Sequence, residues 1–355
     1  MWVNRIEVHD LRNIRESAVD LTAGLNIFVG RNAQGKTSLL EAVALLARGR
    51  SFRTEETASL VRRGASRLRS RGLASDDRRQ TQLEVEIAAG ERHLRVDGKE
   101  VPPRSYHGHL EAVVYSSDRL KVIHGPMRER RLYLDRAGAA LWPTYRKAAA
   151  DYERVLRQRN ASLERGSADL PVWTDRWLQA AVELRCRRAR YVERLRGSLK
   201  SGPTLAGEQS DISLHPEPLA TQEAERQRLA EGVRQTQAQE RHAGRTQLGP
   251  HRDQVRLELD GQDAAQSASS GQARSLLLAL VLASLQVYRE ESGTAAVALL
   301  DDLDSELDAE RALAVCRAVA AKGQALVTTA HPGWAERLGG AARVYRVEAG
   351  SVLAA

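Results

Sequence analysis

The 355 residues suffice for two domains, or for one large α/β domain carrying an insertion, and a core of that size needs no disulfide staples. A formal charge of +8, from 54 Lys and Arg against 46 Asp and Glu, favours polyanionic partners, because neutralised phosphates release their condensed counterions. Aromatic residues make up only 4% of the chain, which argues against single-strand binding on stacking platforms and leaves a duplex backbone as the expected target.

Residues 2–9 alternate apolar and polar side chains as a half-buried strand does, and 25–29 form a short apolar run ending in glycine. A helix is expected over about 35–47, followed by alternating strands at 83–88 and 93–96 and a β-rich run at 112–115. The charged stretch 62–80, with Gly64 and Gly72, reads as a loop or turn region.

Between about 118 and 244 long Ala, Arg, Glu, Leu and Gln segments dominate, with helices expected at 143–164, 173–199 and 220–240. The segment 223–241 is so polar that it is either exposed on both sides or disordered for part of its length. Beyond Gly249 the core pattern returns, with a strand at 254–259, a buried helix at 274–288 and central strands at 296–300 and 325–329. The α/β core is therefore split into 1–115 and 245–355 around a helical insertion at 116–244.

Cys186 and Cys316 lie far apart and follow no metal or redox spacing, so a reducing compartment, the cytoplasm, is expected. The start MWVNRIEVHD lacks a basic segment followed by an apolar run. The strongest apolar window, SLLLALVLASL from Ser275, is too short to cross a bilayer, so no membrane is expected as a partner.

The segment GRNAQGKT, comprising Gly30, Arg31, Asn32, Ala33, Gln34, Gly35, Lys36 and Thr37, fits the phosphate-loop pattern between a strand and a helix. Its glycines let backbone amides face phosphates, Lys36 neutralises the β and γ phosphates of ATP, and Thr37 ligates Mg²⁺. In AVALLDDLDSELD, Asp301 and Asp302 end a fully apolar strand, Asp301 suited to the metal and Asp302 to polarising an attacking water. The stretch SASSGQARSLLLALVLA puts a small Ser/Gly turn before an apolar helix, which reads equally as a simple helix cap or as a backbone-amide anion site.

That stretch resembles the signature motif of ABC-type ATPases, with Ser269, Ser270, Gly271 and Gln272 in the motif's positions. The resemblance implies that these four residues meet the nucleotide of a second copy, in a homodimer with two composite ATP sites. SELD at 305–308 resembles the loop after the paired acids, and His331 stands at the switch-histidine position, though a histidine after a strand is usually an ordinary loop residue.

Several further stretches, in order, resemble the RecF family of DNA recombination and repair ATPases: LRNIR at Leu11, SSDRLKVIHGPMRERRLYLD at 116–135, GPHRD at 249–253 and LLDDLDSELDAE from Leu299. The resemblance implies an ABC-type P-loop ATPase head, lobe I, with a short helical lobe II. It also implies ATP-dependent dimerisation, weak hydrolysis, binding of double-stranded and gapped DNA, and cooperation with RecO and RecR at single-strand gaps. Arg12 and Asn13 look like family contacts near the nucleotide, and an exposed turn explains them equally. Gly125, Arg130, Arg131 and Asp135 read more readily as an ion-paired hinge than as catalytic groups.

Departures from the family pattern are Ser117 for the usual proline, Arg119 where an acid is common, and Ala268 at the apolar first position of the signature. Asp302 stands where transporters carry glutamate, and the shorter side chain is consistent with slow turnover. The alternative reading, a transporter's nucleotide-binding subunit, is opposed by the basic charge and by the long helical insertion. A chromosome-organising coiled-coil ATPase would need sustained heptads, which the short interrupted helices lack.

Overall fold

The computed structural model describes residues 1–202, 207–303, 309–333, 337 and 342–354. The strands are β1 (Trp2–Leu11), β2 (Ile14–Asp20), β3 (Leu25–Val29), β4 (Arg67–Ser75), β5 (Gln80–Ala88), β6 (Glu91–Val96), β7 (Lys99–Glu100), β8 (Ala112–Tyr115), β9 (Ser210–His215), β10 (Gln254–Leu259), β11 (Gln262–Asp263), β12 (Val297–Leu300), β13 (Ala325–Thr329), β14 (Ala342–Glu348) and β15 (Ser351–Ala354). The helices are α1 (Lys36–Arg48), α2 (Pro103–Tyr106), α3 (Lys121–His124), α4 (Met127–Leu141), α5 (Pro143–Arg165), α6 (Leu170–Ser201), α7 (Gln222–Ala243), α8 (Ala264–Ser267), α9 (Ser270–Ser292) and α10 (Ala309–Ala320).

Two compact units emerge, one from Met1–Leu120 with Ser270–Ala355 and the other from Lys121–Ser269. In the first, an antiparallel sheet runs in the order β2-β1-β4-β5-β6-β7 and a mainly parallel sheet in the order β15-β14-β3-β13-β12-β8. β3, β12 and β13 are buried along their whole length, as parallel strands covered on both faces must be, which is why they read as unbroken apolar runs. One core joins both sheets to α1, whose residues from Leu39 to Ala47 are all buried.

The segment 62–80 is not the loop its charges suggest, because it contains β4, nine residues paired to β1 and β5. Its inward positions are Leu68, Ser70, Gly72 and Ala74, and the last three are small where α1 lies close against the strand. A Cβ on Gly72 would come within 2.4 Å of the Leu46 side chain, and the Ser70 hydroxyl donates to the Ala42 carbonyl at 3.3 Å. Residues chosen for close approach hid the apolar alternation.

In the second unit α4, α5, α6 and α7 pack together, and β9, β10 and β11 form a sheet in the order β11-β10-β9. This unit ends at Ser269 rather than near 244: the strand at 254–259 pairs with β9 and not with the α/β sheets. The polar segment 223–241 is a regular helix, capped by the Thr221 hydroxyl accepting from the Ala224 amide at 3.1 Å. Beside Leu229 it buries two acids: Glu225 accepts from Arg185 at 2.7 Å and Glu240 from Arg159 at 2.6 Å.

Arg130 donates to the carbonyls of Val122, Ile123 and Val255 at 3.1, 2.6 and 2.9 Å, and Asp135 accepts from Arg188 and Tyr145. The apolar window at Ser275 is the middle of α9, whose 23 residues are long and apolar enough to cross a bilayer by length and composition. The window looked too short because the helix extends beyond its apolar centre. Of the most apolar stretch of α9, 67% is buried inside the protein, the position of a core helix.

Candidate active site

The C-terminal ends of β3, β13 and β12 lie side by side, the edge of an open α/β sheet where ligands bind. β3 feeds the loop that opens α1, and its Gly30 amide donates to the Thr329 carbonyl at 3.2 Å. A Cβ on Gly30 would stand 2.4 Å from the Val347 carbonyl oxygen, so only glycine fits between β3 and β14.

The loop curls through left-handed backbone at Ala33 (φ 66°) and Gly35 (φ 112°), turning amides inward at the N-terminus of α1. Two outside segments hold it. The Asn13 side-chain amide donates to the Ala33 carbonyl at 3.0 Å while its oxygen accepts from Ser38 at 3.0 Å. The Gln34 side chain and carbonyl accept from the Ala349 and Gly350 amides at 2.7 and 2.8 Å. Arg31, Asn32 and Ala33 stay exposed, and the buried Lys36 bends back to the carbonyls of Gly30 and Arg31 at 2.8 and 3.2 Å.

Arg12 braces this assembly, its guanidinium meeting the fully buried Glu41 through two 3.0 Å hydrogen bonds and the Ser59 carbonyl at 2.9 Å. Ser51 also donates to Glu41. The charge of Glu41, placed on α1, is thereby paired and hydrogen-bonded, as a buried carboxylate requires.

The Thr37 hydroxyl donates to Asp301 Oδ1 at 2.9 Å, uniting the loop with the end of β12. A second hydroxyl, from Thr328 on β13, donates to the same oxygen at 2.8 Å and accepts from the Asp302 amide at 2.8 Å. Burial, with the neighbouring Asp302 charge, pushes the Asp301 carboxyl up to about 6 against the lowering effect of the Thr328 and Thr37 hydrogen bonds. Asp302 is half-buried and holds a left-handed backbone at φ 49°. Arg53 pairs with Asp118 at 3.3 Å beside the end of β8, whose Tyr115 carbonyl accepts from the Asp301 amide at 2.9 Å.

His331 exposes its side chain, and its amide donates to the Thr329 hydroxyl at 2.9 Å. Ser269 closes the second unit and Ser270 opens α9; with Gly271 they are exposed, while Gln272 is half-buried. The stretch 305–308 lies outside the described residues. Thr328, Glu41 and the 349–350 turn were not singled out by the motifs; the doubled threonine ending an otherwise apolar strand is the one local signal for the first.

A family model described as the RecF/RecN/SMC N terminal domain matches residues 2–352. The DNA replication and repair protein RecF of Acidothermus cellulolyticus is 36% identical over 349 residues, covering 93% of this chain and 94% of that protein. The chain belongs to the RecF family. The RecF of Gloeobacter violaceus is 34% identical over 356 residues, covering 93% of this chain and 92% of that protein.

Among solved structures, the recombination mediator protein RecF-ATP in the RecFOR pathway superposes with a TM-score of 0.91 at 26% identity, over 100% of this chain and 97% of that one. An Smc head bound to the C-terminal winged-helix domain of ScpA shares the fold, with a TM-score of 0.59 at 14% identity over 100% of this chain and 97% of that one. The fold is thus the ABC-type ATPase head of RecF and Smc proteins, and these likenesses do not favour a transporter subunit.

Proposed function

We propose that this RecF-family chain is an ATP switch on DNA, acting in replication and recombinational repair. The observation that carries the reading is the 2.9 Å contact of Thr37 with Asp301 beside the buried Lys36. A hydroxyl and a carboxylate side by side are hard oxygen donors, a set that suits Mg²⁺. When bound, the ion neutralises charge on the phosphates.

The loop from Gly30 to Thr37 cradles the phosphates of ATP through its amides, and Lys36 exchanges its carbonyl partners for phosphate oxygens. Asn13 acts through the Ala33 carbonyl and Arg12 through Glu41, each fixing the loop and its helix. Asp302 orients the attacking water and His331 approaches from the next loop; the short Asp302 side chain keeps hydrolysis weak. In a homodimer, Ser269, Ser270, Gly271 and Gln272 of one copy cap the nucleotide held by the other, the first three of them lying exposed at the start of α9.

ATP then joins two basic surfaces that otherwise repel, and the closed dimer grips double-stranded and gapped DNA through its phosphates with little sequence preference. The chain works beside RecR and RecO at gaps, in the cytoplasm at the nucleoid; the pathway named for the similar ATP-bound RecF supports the choice of partners. Light scattering with ATP and Mg²⁺, with and without duplex DNA, tests the reading. The wild type should double in mass with ATP, more readily with DNA, and Ser269→Arg should stay monomeric. A monomer under every condition overturns the composite-site mechanism, and an affinity for DNA that ignores ionic strength overturns phosphate contact as its source.

A further inference from the structure

Thr328 lies on β13 between the strands that carry the phosphate loop and the paired acids, and none of its surface reaches solvent. Its hydroxyl has one proton and two lone pairs. The Asp302 amide can only donate, so at 2.8 Å it fixes one lone pair of Thr328 as acceptor. The proton of Thr328 is then directed at Asp301 Oδ1, also at 2.8 Å. One hydroxyl therefore grips the carboxylate of the first acid and the backbone of the second.

Two consequences follow from this bridge. Oδ1 of Asp301 is occupied by two hydroxyl donors, Thr37 and Thr328, which leaves Oδ2 as the oxygen free of those two bonds. The Asp302 amide is pinned at the start of a residue held at φ 49°, in the left-handed region that few residues other than glycine, asparagine and aspartate enter. The direction in which the Asp302 side chain leaves the backbone is set by that pin.

We propose that Thr328 is a positioning residue for the ATPase reaction, orienting Asp301 toward the metal and Asp302 toward the water by a single bridging hydroxyl. This deepens the reading of the site given above and rests on it. Thr328 touches neither substrate nor metal in this role; it acts through the two acids.

The experiment compares the wild type with Thr328→Val, which keeps the β-branched shape of a strand residue, and with Thr328→Ser, which keeps the hydroxyl. Losing the bridge leaves a buried amide without its partner and removes one donor from the carboxylate, an effect of about tenfold or more on a step that needs both acids aligned. Thr328→Val should lower kcat by about tenfold or more with KM for ATP changed by less than about threefold, and Thr328→Ser should recover kcat to within about threefold of wild type. The second readout is binding of a fluorescent ATP analogue without turnover. In Thr328→Val the Mg²⁺ concentration that half-saturates the metal-dependent gain in affinity should rise about fivefold or more, with affinity in chelator unchanged.

Wild-type kcat and Mg²⁺ dependence in Thr328→Val overturn the proposal, and so does a serine variant as impaired as the valine one, since that assigns the defect to packing. A wild-type chain that shows no Mg²⁺-dependent nucleotide binding overturns this inference together with the ATPase reading beneath it, whereas failure in the variants alone leaves that reading intact.

Discussion

Thr37 and Asp301, 264 positions apart in the chain, meet through a 2.9 Å hydrogen bond that joins the phosphate loop to the end of β12. Thr37→Val removes the hydroxyl without emptying the space. Nucleotide affinity measured with Mg²⁺ should fall to the level that the wild type shows in chelator, a loss of about tenfold or more. Retained Mg²⁺-dependent affinity in the variant would count against this pair as the ion's seat.

Asp301 sets a pH dependence with a definite sign. Its folded carboxyl, lifted to about 6, lies above its unfolded value, so the neutral acid is the form that burial favours. Between the two values the folded chain holds a proton that the unfolded chain has released, and stability of the nucleotide-free protein falls as pH rises, by at most ~3 kcal/mol. Asp301→Asn keeps an acceptor for both hydroxyls and removes the charge. Urea unfolding should find the variant more stable than wild type at pH 7.5 and nearly equal to it at pH 4.5. Mg²⁺-dependent binding needs the charged form, so in the wild type it should weaken about tenfold per pH unit below about 6.

Gly30 tests how closely the loop is packed. With the Val347 carbonyl 2.4 Å from where its Cβ would stand, Gly30→Ala must push backbone against backbone. A cost of about 1–3 kcal/mol in unfolding free energy is expected, with nucleotide affinity lost along with it. Gly64→Ala provides a contrast, since nothing lies within 4 Å of its Cβ. Its positive φ of 84° confines the cost there to backbone strain, and nucleotide binding should survive.

Arg185 holds two buried acids of the helical unit at once, Asp253 at 2.9 and 3.1 Å and Glu225 at 2.7 Å. Burial would raise the Glu225 carboxyl, but hydrogen bonds from Arg228, the Leu219 amide and Arg185 outweigh it and hold the group below its ordinary value. The stability it contributes is present above the ordinary glutamate range and lost as pH falls through the lowered value. Arg185→Met leaves both acids without that partner and should cost about 3–5 kcal/mol by denaturant unfolding. A loss under about 1 kcal/mol would show that the remaining arginines suffice.

The phosphate loop, β3, β12, β13 and the acid pair could be read directly, because parallel strands buried on both faces leave continuous apolar runs and glycine spacing marks the loop. β4 was illegible because Ser70, Gly72 and Ala74 serve closeness to α1 rather than apolar contact. α7 looked like surface because Glu225 and Glu240 are buried as ion pairs, which no hydrophobic period reports. The strand at 254–259 alternates like any half-buried strand, and alternation does not say which sheet a strand joins. Thr328 is an ordinary strand residue by composition; only its neighbours in space give its hydroxyl a task.

The clamp on Gln34 by the amides of Ala349 and Gly350 has a consequence for how the chain comes into being. The loop's sequence leaves the ribosome first, and the turn that fastens it follows only 315 positions later, just after Val347, the residue that packs beside Gly30. A nascent chain carries the phosphate motif long before it carries the pocket. The fastened loop therefore waits for β14 and the turn after it, and a ribosome stalled short of them displays a chain whose phosphate loop still lacks that clamp.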